Sequence, residues 1–196
     1  MSPQRRQARL TALTSVPLRI ARRTLPDPVR HHVKLHAQLA MSLVALWRLR
    51  PRLTGRVDEE LAYEIASAWG NADWAGRPDY LTAVLQADRE QSGPVLECGS
   101  GASTILLAAT GRRFYSLEHD RFWARRARWG LRAAGLKGNV IYRPLRDYGG
   151  YRWYDSDGLM QLPKLALIIC DGPPGSTQGA ATGCCPSWAS CCCPAA

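Results

Sequence analysis

The feature that most constrains this chain is a short apolar run that breaks into a glycine pair. Pro94-Val95-Leu96-Glu97-Cys98 reads as a strand ending in Gly99-Ser100-Gly101, and a helical pattern then runs from Ser103 to Ala109. Arg113 to Glu118 reads as a second strand. Asp120 is placed to cap a long helix that Gly135 closes. Asn139 to Arg143 and Leu165 to Cys170 read as a third and a fourth strand. Runs this short, alternating with helical patterns, specify parallel strands joined by helical crossovers, and hence an α/β fold. The long helix is expected to bury Trp123, Ala127, Leu131 and Ala134 and to show Arg121, Arg125, Arg128 and Arg132 on its other face. In the fourth strand Leu165, Leu167 and Ile169 alternate with Ala166, Ile168 and Cys170, so both faces expect cover.

Before this region come helices and a basic arm. Residues 1–56 hold twelve Lys/Arg against one acid, Asp27, whereas residues 57–196 are nearly balanced. The arm is either a solvated extension or a segment that touches an anionic membrane or nucleic acid. From His31 to Leu49, Leu35, Leu39, Leu43 and Leu46 form one helical stripe, with His31, His32, Lys34, Arg48 and Arg50 at its ends and Pro51 as the stop. The stripe is read as packing on the domain, with an interfacial helix on anionic lipid as the rival. The apolar stretch Ala37–Trp47 is about half the ~20 residues that a membrane span needs, and no signal-peptide cleavage pattern follows it. The expected location is cytoplasmic, with the arm as the one candidate for peripheral membrane contact. Two further helices are predicted. One starts near Asp58, buries Leu61, Ile65 and Trp69 and stops at Gly70-Asn71; the other runs from Pro78 to about Glu90 over Leu81, Val84 and Leu85.

The chemistry concentrates where the first two strands end. Two glycines let the backbone approach a ligand closely, and an acid, Glu97, lies two positions before Gly99. A pyrophosphate would want bare amides at that turn, whereas a cationic ligand is favoured by a carboxylate there. The third glycine of the dinucleotide fingerprint is replaced by Thr104. Glu118 ends the second strand, where an acid can accept both hydroxyls of an adenosine ribose. The bland alternative is a loop glycine pair beside two surface acids.

Val95-Leu96-Glu97-Cys98-Gly99-Ser100-Gly101-Ala102-Ser103-Thr104 and Tyr115-Ser116-Leu117-Glu118-His119-Asp120 resemble motifs I and II of class I S-adenosylmethionine-dependent methyltransferases. The resemblance covers residues 93–178. It implies a Rossmann-like parallel sheet flanked by helices, of which this chain carries the first four strands, behind an N-terminal helical cap. It implies that Glu97, Gly99, Ser100 and Gly101 hold the methionine part of S-adenosylmethionine. Ser103 and Thr104 would help at the helix start, Glu118 would hold the ribose, and His119 would lie beside the adenine. Leu145-Arg146-Asp147-Tyr148 resembles the segment flanking the adenine, or else is an ordinary turn. Cys170-Asp171-Gly172-Pro173-Pro174-Gly175 resembles the loop between cofactor and acceptor, with Asp171 orienting the acceptor or taking its proton. That loop lacks a neighbouring second acid or His, so no metal is expected.

The reading divides the chain into a basic arm with an amphipathic helix (1–56), a helical cap (57–92), a cofactor-binding half-domain (93–178) and an aberrant tail (179–196). Cys98 and Cys170 stand singly at the ends of apolar runs and read as small buried hydrophobes. Cys184, Cys185, Cys191, Cys192 and Cys193 crowd the tail without common zinc spacing, although a metal-binding tail is a rival reading. Read from each third codon base, a Cys-Cys pair gives Leu, and residues 179–189 can give Arg-Arg-Tyr-Gly-Leu-Leu-Pro-Val-Leu-Gly, which resembles the family's continuation. The expectation is a native frame lost near Gln178. A chain so truncated is expected to be poorly soluble or partly folded, with impaired methyl transfer to an unidentified acceptor. The alternatives are a non-catalytic cofactor-binding or inert remnant and, more remotely, a nucleotide-sugar or NAD enzyme.

Overall fold

The computed structural model describes residues 26–70, 78–157 and 159–179. The basic arm up to residue 25 and the cysteine-rich tail from residue 180, with the readings attached to them, lie outside the described residues. The chain divides into two compact units after Ala40. The described part of the first belongs to helix α1 (Asp27–Leu49), which starts four residues before the predicted His31. Asp27 sits in its first turn, where negative charge favours the helix dipole, and pairs with Arg30 at 2.8 Å.

In the second unit, Asp58 caps α2 (Glu59–Trp69) by accepting the Leu61 N–H at 2.8 Å, and Gly70 ends that helix with φ 63°. Helix α3 (Pro78–Glu90) opens on the proline whose missing N–H costs nothing there. The remaining elements are β1 (Val95–Cys98), α4 (Ala102–Ala109), β2 (Phe114–Glu118), α5 (Arg121–Ala134), β3 (Asn139–Tyr142), β4 (Leu145–Asp147), β5 (Arg152–Tyr154), a 3-10 turn (Leu159–Gln161) and β6 (Leu167–Cys170). β1, β2, β3 and β6 form one parallel sheet in the order β3-β2-β1-β6. Val95 lies opposite Phe114 on one side and Leu167 on the other. This is the parallel, helix-bearing α/β architecture expected from the strand and helix pattern.

The two faces of the sheet are covered differently. Val95, Phe114, Val140 and Ile169 share one core with Leu61, Ile65, Trp69, Leu81, Ile105 and Leu131 of the helices. Gly130, in the middle of α5, permits this packing: a Cβ there would lie 3.1 Å from the Trp69 ring and 3.3 Å from Leu46 and Ile105. Leu96, Cys98 and Leu117 point the other way, into a second core with Trp153, Tyr154, Leu159 and Leu165. Among the described residues, the cover on that second face is an antiparallel hairpin, β4–β5, and the 3-10 turn.

Three sequence expectations are corrected here. Leu145-Arg146-Asp147 is strand β4, paired with Asp147 opposite Arg152, and not a turn; Leu145 packs on the second core. Cys170 ends the edge strand β6, and at that edge it is exposed and disulfide-bonded, unlike the buried Cys98. In α5, Arg126 is buried while Trp123 is only half-buried, because the indole of Trp123 covers the Arg126 guanidinium at 4.9 Å.

Candidate functional site

The strand order reverses at β1: β2 and β3 lie to one side and β6 to the other. Parallel sheets open a crevice at such a point, outside the carboxyl ends of the strands. Here the backbone ties the three ends together. Gly99 N–H donates to the Leu117 carbonyl at 2.9 Å, and Asp171 N–H donates to the Cys98 carbonyl at 2.9 Å. Gly99 has φ 98°, and a Cβ on it would stand 2.9 Å from the Gly172 nitrogen and 3.0 Å from the Asp171 carbonyl carbon. Only glycine accommodates both the dihedral and the approach of the two loops.

Glu97 is completely buried beneath the turn. Its Oε2 accepts the Thr104 hydroxyl at 2.7 Å, and Thr104 Oγ1 in turn accepts the Gly101 N–H at 2.9 Å. Thr104, in the place of a third glycine, therefore links the buried carboxylate to the first turn of α4. Glu97 Oε1 has no hydrogen-bond partner among the described residues. Burial pushes this carboxyl up to about 7 against the pull of the Ser103, Ser116 and Thr104 hydroxyls. The Ser103 hydroxyl acts on both Glu97 and Tyr80 electrostatically, but neither it nor the buried Tyr80 hydroxyl of α3 makes a well-formed hydrogen bond among the described residues. Burial, with the Asp171 and Glu97 charges behind it, raises the pKa of Tyr80.

Glu118 closes the other side. Its Oε2 accepts from the Ser100 N–H at 3.1 Å and the Ser100 hydroxyl at 2.8 Å, and Oε1 accepts the Asp120 N–H at 2.9 Å. His119 Nδ1 lies 3.0 Å from Oε1 but is not aligned as a hydrogen bond. Burial alone would raise the carboxyl's pKa, but the interactions with His119, Asp120 and Ser100 outweigh it and hold Glu118 below the usual carboxylate range.

Asp171 follows β6 and is exposed, and the desolvation left by its surroundings raises its pKa. Leu145 is half-buried in β4 with Tyr154 opposite it. Of the residues the sequence singled out, Glu97, Gly99, Ser100, Gly101, Ser103, Thr104, Glu118, His119 and Asp171 lie at or beside the carboxyl ends of β1, β2 and β6.

Two residues join them that sequence reasoning missed. Tyr80 carries no motif and arrives on a helix preceding the sheet. Tyr154 is fully buried; its hydroxyl has no hydrogen-bond partner among the described residues, and its ring meets the His119 ring edge-on at 6.1 Å. A Cβ on Gly172 would stand 2.6 Å from that hydroxyl, which places Tyr154 against the loop after β6. Burial raises its pKa, and the Glu118, Cys98, Glu97 and Asp171 charges add to this. The aromatic enrichment of Tyr151-Arg152-Trp153-Tyr154 was the one available signal for this strand.

No family model, curated protein or solved structure matches the chain. Among the described residues, no group of three or more His, Cys, Asp or Glu is arranged to hold a metal ion, and no helix is long and apolar enough to cross a membrane.

Proposed function

We propose that this chain binds S-adenosylmethionine at the reversal of its sheet, on a class I methyltransferase type of fold, and is by descent an enzyme of methyl transfer. The observation that carries the reading is the pair of buried carboxylates, Glu97 and Glu118, at the carboxyl ends of neighbouring strands and on either side of one glycine turn. The residues fit the cofactor. The orphaned Oε1 of Glu97 and the unpartnered Ser103 and Tyr80 hydroxyls suit an ammonium and carboxylate head. Glu118, kept ionised, suits paired ribose hydroxyls, with His119 beside the base. A buried acid in this turn disfavours the pyrophosphate of a dinucleotide.

Bound there, the cofactor would supply a methyl group already activated on a sulfonium, so the chain's task is largely alignment. Gly99 and Gly101 would let the backbone close on it. Asp171, with its raised pKa and its place after β6, would orient an acceptor and take its proton. Tyr154 would shield that point from water. Calorimetry of the full chain with S-adenosylhomocysteine and with NADH tests the reading. Saturable binding of the first and none of the second is the expected result, and the reverse pattern would overturn it.

A further inference from the structure

A separate surface carries chemistry of its own. From Arg121 to Arg146 the sequence has eight Lys/Arg and no Asp or Glu. Solvated protein faces usually mix the two signs, so an acid-free run of this length is a feature to be explained. Arg121, Arg125, Arg128 and Arg132 fall at spacings of four, three and four along α5, which puts them on one face, and all four are exposed. At 1.5 Å per residue the row extends for about 16 Å.

Arg146, at the end of the run, pairs with Asp155 and Asp157, but the α5 row is not neutralised within the described part of the fold. Among the described residues Arg121, Arg125, Arg132 and Lys137 make no ion pair. Two lie over aromatic rings instead: Arg121 at 5.1 Å from the Tyr142 centroid and Arg125 at 6.0 Å from Trp129. Arg128 donates to the Val140 carbonyl at 2.8 Å and so fastens the helix to β3, an edge of the sheet. Helix face and sheet edge therefore form one cationic surface with aromatic rings set into it. The flanking acids are engaged locally: Asp120 accepts the Phe122 and Trp123 N–H groups, and Asp147 accepts that of Gly149.

Charge complementarity requires an anionic partner, and the apolar content of the face decides which. A helix that settles into lipid needs its apolar side free. The apolar side of α5, with Ala124, Ala127 and Leu131, is already buried in the core, and Phe122 and Trp123 are partly buried, which leaves Trp129 as the exposed large apolar side chain of the helix. Rows of guanidinium groups interleaved with aromatic rings suit phosphates and bases. We propose that the α5–β3 face binds the phosphodiester backbone of a nucleic acid, with Arg121, Arg125 and Arg132 on phosphates and Trp129 against a base. The proposal is independent of the methyl-transfer reading.

The test is anisotropy of the full chain with a labelled oligouridylate and a labelled DNA duplex over a salt series. Two variants are compared with the parent: Arg121→Gln/Arg125→Gln/Arg132→Gln on the face and Arg5→Gln/Arg6→Gln/Arg9→Gln in the arm. Thermal melting checks that the face variant, altered only at exposed side chains, remains folded. The expected result is a loss on the order of tenfold in the face variant, with the slope of log K against log salt flattened by roughly 2, since each phosphate contact on a single strand contributes ~0.7. Trp129→Phe should lose the tryptophan quenching seen on binding. Face and parent binding alike, the arm variant alone abolishing binding, or capture of phosphatidylserine vesicles without nucleic-acid binding would each overturn the proposal.

Discussion

Glu97 and Glu118 are the same residue type three and five residues along neighbouring strands, yet their surroundings drive them apart. Glu118 meets donors from Ser100 and Asp120 and stays ionised; Glu97 is more deeply buried and holds its proton to about 7. Removing the ribose acceptor with Glu118→Ala should weaken S-adenosylhomocysteine binding by about 1.5–3 kcal/mol, the scale of a hydrogen bond to a charged group, as read by calorimetry. Unchanged affinity would remove Glu118 from the site. For Glu97 the native state holds the proton that the unfolded chain releases near 4.5, so its contribution to stability is present below that pH and is lost as pH rises to about 7. Glu97→Gln should therefore raise the melting temperature at pH above 7 and leave it nearly unchanged in mild acid. An ammonium arriving at Oε1 should displace that proton near neutrality. The binding enthalpy should then depend on the ionisation enthalpy of the buffer in the parent chain and not in Glu97→Gln.

At the scale of elements, α1, α2 and α5 meet around Arg126. Its guanidinium lies between Trp69 and Trp123, at 4.6 and 4.9 Å, and its Nη2 donates to the Ser42 hydroxyl at 3.0 Å and the Trp69 carbonyl at 2.6 Å. Burial pushes its pKa down to about 10, so it remains charged at neutral pH. Arg126→Ala should cost about 2–4 kcal/mol in denaturant unfolding through lost packing and stranded polar partners. The exposed Arg125→Ala should stay within about 0.5 kcal/mol. Equal effects would mean that the three helices do not depend on this contact. The periodicity of α5 could not distinguish these two arginines, because a helical stripe reports where apolar residues fall and is silent on a cation that two indoles happen to cover. Caps were a different matter. Asp58, Asp120, Gly70 and Gly135 act on backbone within a residue or three of themselves, so their roles were readable from neighbouring letters. The β4–β5 hairpin was not, since three-residue strands leave almost no alternation to read.

Over the whole molecule, β1 is paired on both sides and buried on both faces, whereas β3 and β6 have, among the described residues, one partner each. Hydrogen exchange should find the slowest amides in β1 and β2, with β3 and the β4–β5 hairpin opening first; uniform protection would contradict this hierarchy. Sequence alone determined the parallel α/β character, the glycine turn and the position of both carboxylates at strand ends, because each depends on short-range periodicity or on a local backbone requirement. Only the tertiary structure decided that the order is β3-β2-β1-β6, that Asp171 and Gly172 come to rest against Gly99, and that Tyr80 and Tyr154 bring to the same end of the sheet hydroxyls that have no hydrogen-bond partner among the described residues. It also decided that a hairpin covers the face left bare by the helices. Those contacts join residues dozens of positions apart, and they form because apolar faces must be buried together, a condition no local window of sequence contains.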